Sequence, residues 1–167
     1  KFESDQVQYF PSTWLADGSA LLPTQVEPGK ASLKMLPITG VEADSTRLRS
    51  LLPSASNEGN PRLSRDGRLL AFGSDESGKV LTYVVEFHTD GSTGRPVEVK
   101  TSGSVIHRWS ADGKTLFVED ERHRLMKVAV TTGPELSVSA PIPVHDFDKL
   151  RVQTWLWSVL PDGRFFV

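Results

Sequence analysis

The chain has 167 residues, of which 38% are hydrophobic and 24% charged, so it can bury a sizeable core, and a single domain is expected. A net charge of -2 and a pI near 6.1 give no electrostatic reason to expect nucleic acid or an anionic membrane as a partner. No apolar stretch approaches the ~18 residues of a membrane-spanning helix, so no membrane insertion of this segment is expected. The first residue is Lys1, which predicts a longer precursor.

The chain contains no cysteine, which excludes disulfides, thiolate chemistry and cysteine-based zinc or iron–sulfur sites. Cysteine-free chains occur both in the cytoplasm and in oxidising compartments, so composition leaves the compartment open. The 11 prolines and 13 glycines interrupt nearly every window that is long enough for a helix. The chain is therefore predicted to be built from strands and turns.

An Asp-Gly pair recurs along the chain at intervals of 49, 46 and 50 residues. The four copies are Asp17-Gly18, Asp66-Gly67, Asp112-Gly113 and Asp162-Gly163. Asp-Gly predicts a tight hairpin turn, because such a turn needs positive φ and glycine adopts it at little cost. A fifth pair, Asp90-Gly91, lies between two other strand candidates and is interpreted as an ordinary connecting turn.

Each Asp-Gly pair is followed by the same order of elements. An apolar residue stands three positions before each Asp, namely Trp14, Leu63, Trp109 and Val159. After the hairpin come β-rich runs at 31–39, 79–87 and 123–131, and further runs at 47–53, 95–101 and 139–147. Turn residues separate these runs, which predicts four short antiparallel strands in each repeat of about 45–50 residues.

Repeats of four antiparallel strands at this period predict an all-β chain of β-propeller blades, in one repeat array over 1–167. The approximate blades are 7–55, 56–103, 104–148 and an incomplete 149–167. Stacked blades cover both faces of a strand, which explains the nearly continuous apolar runs at 69–72 and 116–118. The run at 81–87 partly alternates, as expected near the rim. Trp14 and Trp109 share one repeat position and are expected in the core.

The stretch "NPRLSRDGRLLAFGSDESGKVLTYVV" resembles the WD40-like (PD40) repeat of TolB-type propellers, whose hallmark is P-x-[WF]-S-P-D-G-[KR]-x-[IL]-[AV]-[FY]. The segment "HRWSADGKTLFV" fits nearly as well, whereas the first copy lacks the Ser and the last lacks the aromatic residue. The region from Arg122 to Val144 is also similar to propellers appended to bacterial serine/threonine kinases and winged-helix regulators. These resemblances imply a fold, and they favour a periplasmic or other extracytoplasmic location.

The strand count predicts a partial propeller of about three complete blades and part of a fourth. Rings of this type need about 4–8 blades, so the chain is interpreted as a fragment of a larger bacterial protein or as a piece that associates with another copy. The open edges of such a piece predict self-association. A compact four-bladed closure is disfavoured, because the segment "KFESDQ" is short and polar.

The search for chemistry yields no catalytic, cofactor or metal site in the sequence. His88, His107, His123 and His145 stand singly without metal-ligand spacing, and a structural hydrogen bond is predicted for His107. Neither G-x-S-x-G nor S-x-x-K occurs, and no glycine-rich phosphate loop is present. The acidic segments "DESG" and "EDER" are interpreted as solvated turns, with a cation-binding rim as the alternative.

Trp155 and Trp157 alternate along the last predicted strands and share a face, so they either pack between blades or form a possible interaction surface. The sequence thus favours a non-catalytic scaffold that binds a protein or peptide partner. The alternative is the propeller part of a prolyl-oligopeptidase-like hydrolase or a lyase whose active site lies outside this chain. A purely structural, self-associating fragment is a third possibility.

Overall fold

The computed structural model describes residues 7–39, 42–43, 45–104, 106–150, 157–160 and 164–166. Nearly all regular structure in these ranges is antiparallel β-strand, arranged as consecutive small sheets along the chain. The helical segments described are a 3₁₀ turn, Ser45–Arg47, and a short helix α1, Phe147–Leu150. The predicted all-β class is confirmed.

The first two sheets, called blades one and two, follow the chain in order. Blade one contains β1 (Gln8–Trp14), β2 (Ala20–Glu27), β3 (Lys30–Thr39), β4 (Glu42–Ala43) and β5 (Arg49–Ser50). Here β1, β2 and β3 pair in sequence, and the two short strands β4 and β5 both pair with β3. Blade two contains β6 (Glu58–Leu63), β7 (Leu69–Ser74), β8 (Leu81–Glu86) and β9 (Val97–Glu98) in that spatial order.

The third and fourth sheets, blades three and four, repeat the pattern. Blade three contains β10 (His107–Trp109), β11 (Thr115–Glu119), β12 (Arg124–Thr131), β13 (Ser137–Val138) and β14 (Ile142–Asp146), with β13 and β14 both paired to β12. The described part of blade four is the pair β15 (Ser158–Val159) and β16 (Phe165–Phe166). The predicted order of four strands holds for blade two, whereas blades one and three each contain a fifth short strand that was predicted as a turn.

The core lies between consecutive blades. In β7, Leu70 and Phe72 belong to the hydrophobic cluster between blades one and two, whereas Leu69 and Ala71 belong to the cluster between blades two and three. Every residue of β7 is buried, which confirms that its continuous apolar sequence reflects cover on both faces. Burying a side chain such as Leu70 contributes roughly 1.5–3 kcal/mol, so these clusters dominate the stability of the array.

One prediction about the third strand of blade two is wrong. The partial alternation of β8 was expected to place one face near the solvent-exposed rim, but the residues from Leu81 to Val85 are all buried. Tyr83 and Val85 pack toward blade one, and Val84 packs toward blade three. The polar residue at position 82 that creates the alternation is buried because its hydroxyl lies within hydrogen-bond distance of His107.

Candidate functional site: a pocket between the second and third blades

The Asp-Gly turns fix where the first strand of each blade ends. Gly18, Gly67 and Gly113 all have positive φ, at 72°, 71° and 68°. The loop of blade two is longer than the predicted two-residue turn, because the backbone N–H of Ser64 donates to the carbonyl of Leu69 across the four residues 65–68. Only the glycine enters the left-handed region, and the preceding Asp acts instead through its side chain.

The Asp side chains hold these loops by hydrogen bonds within the turn. The Ser64 hydroxyl donates to Asp66 Oδ1 at 2.6 Å, and this bond is the main reason why the pKa of Asp66 is lowered. Blade three repeats the arrangement with its own Ser and Asp. In blade one Leu15 replaces that serine, and Ser19 donates to Asp17 Oδ1 at 2.7 Å instead. The carboxylates are therefore engaged in shaping the loop in all three described copies.

His107, the first residue of β10, joins blade three to blade two. Its side chain is fully buried, and Nε2 lies 2.9 Å from the carbonyl oxygen of Asn60, so Nε2 carries the proton and donates. Nδ1 lies 3.3 Å from Thr82 Oγ1, within hydrogen-bond distance. The pKa of His107 is lowered to about 3, chiefly by burial and in addition by the charges of Arg62 and Arg108. The predicted structural hydrogen bond is confirmed.

A pocket of about 340 Å³ opens beside this junction, where the first strands of three blades end. Its lining residues are Arg62, Leu63, Arg65, Arg108, Trp109, Ser110, Ala111, Ser158 and Val159. Trp109 forms one wall and is held by its Nε1–H, which donates to the backbone carbonyl of Arg62 at 3.0 Å. The wall is therefore a fixed aromatic surface next to two guanidinium groups.

Two of the three arginines in the pocket lining, Arg62 and Arg108, bond only to backbone carbonyls among the hydrogen bonds of the described residues. Arg62 Nη1 donates to the carbonyl of Ser12 at 2.6 Å, and Arg108 Nη1 donates to the carbonyl of His107 at 2.8 Å. The guanidinium of Arg108 also lies 5.6 Å from the ring centre of Trp157. Partial burial lowers the pKa of both arginines, and repulsion from Arg108 lowers that of Arg62 further.

The predicted interaction surface does not hold for Trp157. This side chain is 1% exposed and packs with Phe117, Leu125 and Phe147 between blades three and four. Its Nε1–H points to Glu119 Oε2 at 3.3 Å. The apolar ring is enclosed by the hydrophobic cluster, so the alternative of packing between blades applies. Trp155, the other residue of the predicted interaction surface, lies outside the described residues. The same holds for Asp162 and Gly163, the fourth predicted Asp-Gly turn.

Trp14 was expected in the core, and this expectation is wrong. Its side chain is 55% exposed, and Tyr9 and Phe10 on the same strand are also exposed. Trp109 at the equivalent repeat position lies against blade two, whereas no sheet among the described residues precedes blade one. The exposure of Trp14 therefore follows from its place in the array.

The two acidic segments differ from one another, and one was misjudged. Asp75 in blade two is hydrogen-bonded to the backbone N–H and the side-chain amide of Asn57, as a surface turn. In blade three, however, Asp120 is buried and receives two bonds from the Arg124 guanidinium, at 2.9 and 2.6 Å. Asp120 is therefore a buried member of an ion pair with the partly exposed Arg124, and not part of a solvated turn. Among the described residues no group of three or more potential metal ligands forms.

A second, larger cleft of about 870 Å³ lies at the outer strands of blades two and three. Four glutamates and one arginine contribute to its lining, namely Glu76, Glu86, Glu98, Glu135 and Arg95. Glu76 lies in the turn between β7 and β8, and Glu86 is the last residue of β8, whereas the other three side chains belong to the short outer strands and their loops. Glu76 and Glu135 are exposed. The cleft is therefore an acidic groove at the rim. It shares no lining residue with the arginine pocket, which is formed at the first strands of the blades.

The arginine pocket was not predicted from the sequence. Arg62 and Arg108 both stand four residues before the Asp of an Asp-Gly turn, so one repeat position carries a basic residue in two successive blades. Ser158, at the same position in blade four, lines the same pocket. An alignment of the four repeats, compared position by position, would have revealed the two arginines at one repeat position. Such positions form a common site because equivalent positions of stacked blades lie side by side.

No family model and no curated protein matches this chain. Solved structures do match its fold. They include a TolB homologue from Agrobacterium tumefaciens (TM-score 0.61, 16% identity, 81% of this chain and 50% of that one) and TolB from Acinetobacter baumannii (0.57, 20%, 83% and 33%). A puromycin-hydrolysing peptidase from Mycobacterium tuberculosis also matches (0.66, 18%, 96% and 28%). The chain thus spans half or less of these structures and has the TolB-like β-propeller fold.

No helix among the described residues is long and apolar enough to cross a membrane.

Proposed function

We propose that this chain is a non-catalytic propeller module that binds a protein or peptide partner as the scaffold or sensory part of a larger bacterial protein. The observation that carries the proposal is the pocket at the ends of the first strands, where three blades contribute side chains. A rigid aromatic wall at Trp109, fixed by a hydrogen bond, is typical of surfaces that anchor a peptide. Attachment to a kinase or a winged-helix regulator stays a prediction.

Peptide selection followed by pocket blocking tests this proposal. Peptides are selected from a displayed random library with the whole chain, and their dissociation constants are measured by titration calorimetry. The variant A111W fills the pocket from a lining residue, and S77W adds the same bulk in the acidic rim cleft as the matched control. We expect binding to wild type and S77W and at least a tenfold loss in A111W. Equal binding by both variants, or cleavage of a peptide by this chain alone, contradicts the proposal.

A second candidate is the propeller part of a hydrolase or lyase whose active site lies outside this chain. The match to the mycobacterial peptidase favours it, because 96% of this chain aligns with part of that structure. The test is hydrolase activity of the full-length protein, assayed with peptide substrates and compared with this chain alone. Activity of the longer protein that falls in A111W but not in S77W supports this candidate, and an inactive longer protein contradicts it.

We also propose that two copies associate head to tail through the open face of blade one. Trp109 shows how this repeat position docks, because its indole donates to a carbonyl of the preceding blade. Trp14 presents the same group with 55% of its surface exposed, so this face of blade one is expected to pack on a sheet of a second copy. Light scattering should show a mass that rises with concentration, and W14S should abolish the rise. A concentration-independent monomer contradicts the proposal.

A further inference from the structure

Successive repeats place cationic side chains side by side in the pocket. Arg62 and Arg108 occupy the same position of blades two and three, and Arg65 adds a third guanidinium from the loop that follows β6. Ser158 completes the row at the same position of blade four. Each guanidinium has five N–H donors in a planar fork. The lining of the pocket therefore contains three arginines, which together carry many N–H donors and three positive charges.

Few of these donors have partners in the described part of the chain. The bonds of Arg62 go to the carbonyls of Ser12 and Pro61, and that of Arg108 goes to the carbonyl of His107. Neither arginine forms an ion pair with a described carboxylate, in contrast to Arg124, which forms one with Asp120. Repulsion between like charges in a half-buried site is unfavourable, and a bound anion relieves it. The pKa of Arg62 is lowered chiefly by burial and in addition by the charge of Arg108.

The rest of the lining identifies the kind of anion. Leu63, Trp109, Ala111 and Val159 provide apolar surface directly beside the guanidinium groups. A fully hydrated inorganic anion gains no free energy from contact with such a surface. A carboxylate on a peptide, by contrast, carries neighbouring apolar atoms that can bury the apolar lining. The planar fork of arginine also matches the two oxygens of a carboxylate.

We infer that Arg62, Arg65 and Arg108 form a binding site for a carboxylate group of a peptide, with Trp109 contacting the residue next to it. The inference rests on the proposed function, because it names the chemistry that the same pocket recognises. The carboxylate is that of an Asp or Glu side chain or of a free C-terminus. Affinity should fall with salt, since the recognition depends on exposed and half-exposed charges.

The experiment compares two degenerate hexapeptide pools on the whole chain. One pool contains Asp, Glu and a free C-terminus, and the other replaces them with Asn, Gln and a C-terminal amide. Binding is followed by titration calorimetry. The variants are R65E, an exposed side chain in the pocket, the double variant R62Q/R108Q, and R95E in the rim cleft as the matched control. Circular dichroism checks that each variant is folded.

We expect only the acidic pool to bind. R65E should weaken the affinity for this pool at least tenfold, and R95E should leave that affinity unchanged. R62Q/R108Q should lose binding entirely, and R65E keeps the test valid if that double variant does not fold. Equal binding of both pools overturns the carboxylate site and leaves peptide binding intact. Binding of neither pool overturns both proposals. Inorganic phosphate that binds as tightly as the acidic pool overturns the peptide assignment in favour of a simple anion site.

Discussion

Blades one and three carry tryptophan at the same repeat position, yet the two side chains have different surroundings. Within their sheets they are equivalent, because Trp14 pairs with Leu21 and Trp109 pairs with Leu116 in the same register. Trp109 packs against blade two and donates a hydrogen bond to it, whereas Trp14 is 55% exposed. Strand pairing within a blade is therefore determined locally, whereas the burial of a side chain depends on the neighbouring blade.

The largest expected effect concerns the leucine four residues after each Asp. Leu70 is completely buried against blade one, whereas its counterpart Leu21 is partly exposed on the outward face of blade one. We expect L70A to lower the free energy of unfolding by about 3 kcal/mol, and L21A by only about 1 kcal/mol. Urea denaturation of both variants measures the difference. Equal losses would show that the outward face of blade one is covered.

The pH dependence of stability tests the blade two–three junction through His107. Its pKa of about 3 in the folded chain lies below the value of about 6.5 in the unfolded chain. Between these values the unfolded state binds a proton that the folded state excludes, so stability falls as the pH drops below 6.5. The expected loss from His107 is about 2 kcal/mol at pH 5.

H107Q should remove this loss of stability at low pH, although it weakens the junction at pH 7. H88Q, at an exposed histidine, is the control and should show the same loss as wild type. His123 acts with the opposite sign, because its hydrogen bond to Glu119 raises its pKa, so the measurement is repeated in H123Q. A slope that survives H107Q would mean that another group is responsible.

A smaller effect is expected at the tryptophans themselves. W109F removes the N–H that bonds to the Arg62 carbonyl and should cost about 1–2 kcal/mol. W14F changes a largely exposed ring and should alter the free energy of unfolding by less than about 0.5 kcal/mol in the monomer. Thermal and urea unfolding at low protein concentration compare the two. A cost for W14F that equals that of W109F would place a partner on blade one.

The smallest difference between two blades is expected at the glycines of the Asp-Gly turns. Gly18 and Gly67 have nearly equal positive φ, and a Cβ at either position meets no atom within 4 Å. G18A and G67A should therefore each cost about 1 kcal/mol through backbone strain alone. Urea denaturation gives both values. A larger cost in blade two than in blade one would show that its turn also depends on the neighbouring blade.

The sequence was sufficient for the architecture because the signals are local and repeated. Glycine adopts the positive φ of Gly67 wherever the chain folds back, and β-rich runs between such turns pair with their nearest neighbours in sequence. The order of strands and the burial of β7 on both faces followed from these signals alone. The prediction of a buried Trp14 from its repeat position was wrong, because the residue type and the repeat position do not determine whether a neighbouring blade covers the side chain.

What the tertiary structure decided is everything that involves two blades at once. It buried Trp157 against side chains of blade three that are distant in sequence, and it gathered Arg62, Arg108 and Ser158 from three repeats into one pocket. The physical reason is that turn chemistry and strand pairing act over a few residues, whereas burial and charge clustering depend on which faces meet. A single repeat specifies a blade, and only the stacking of blades creates a site.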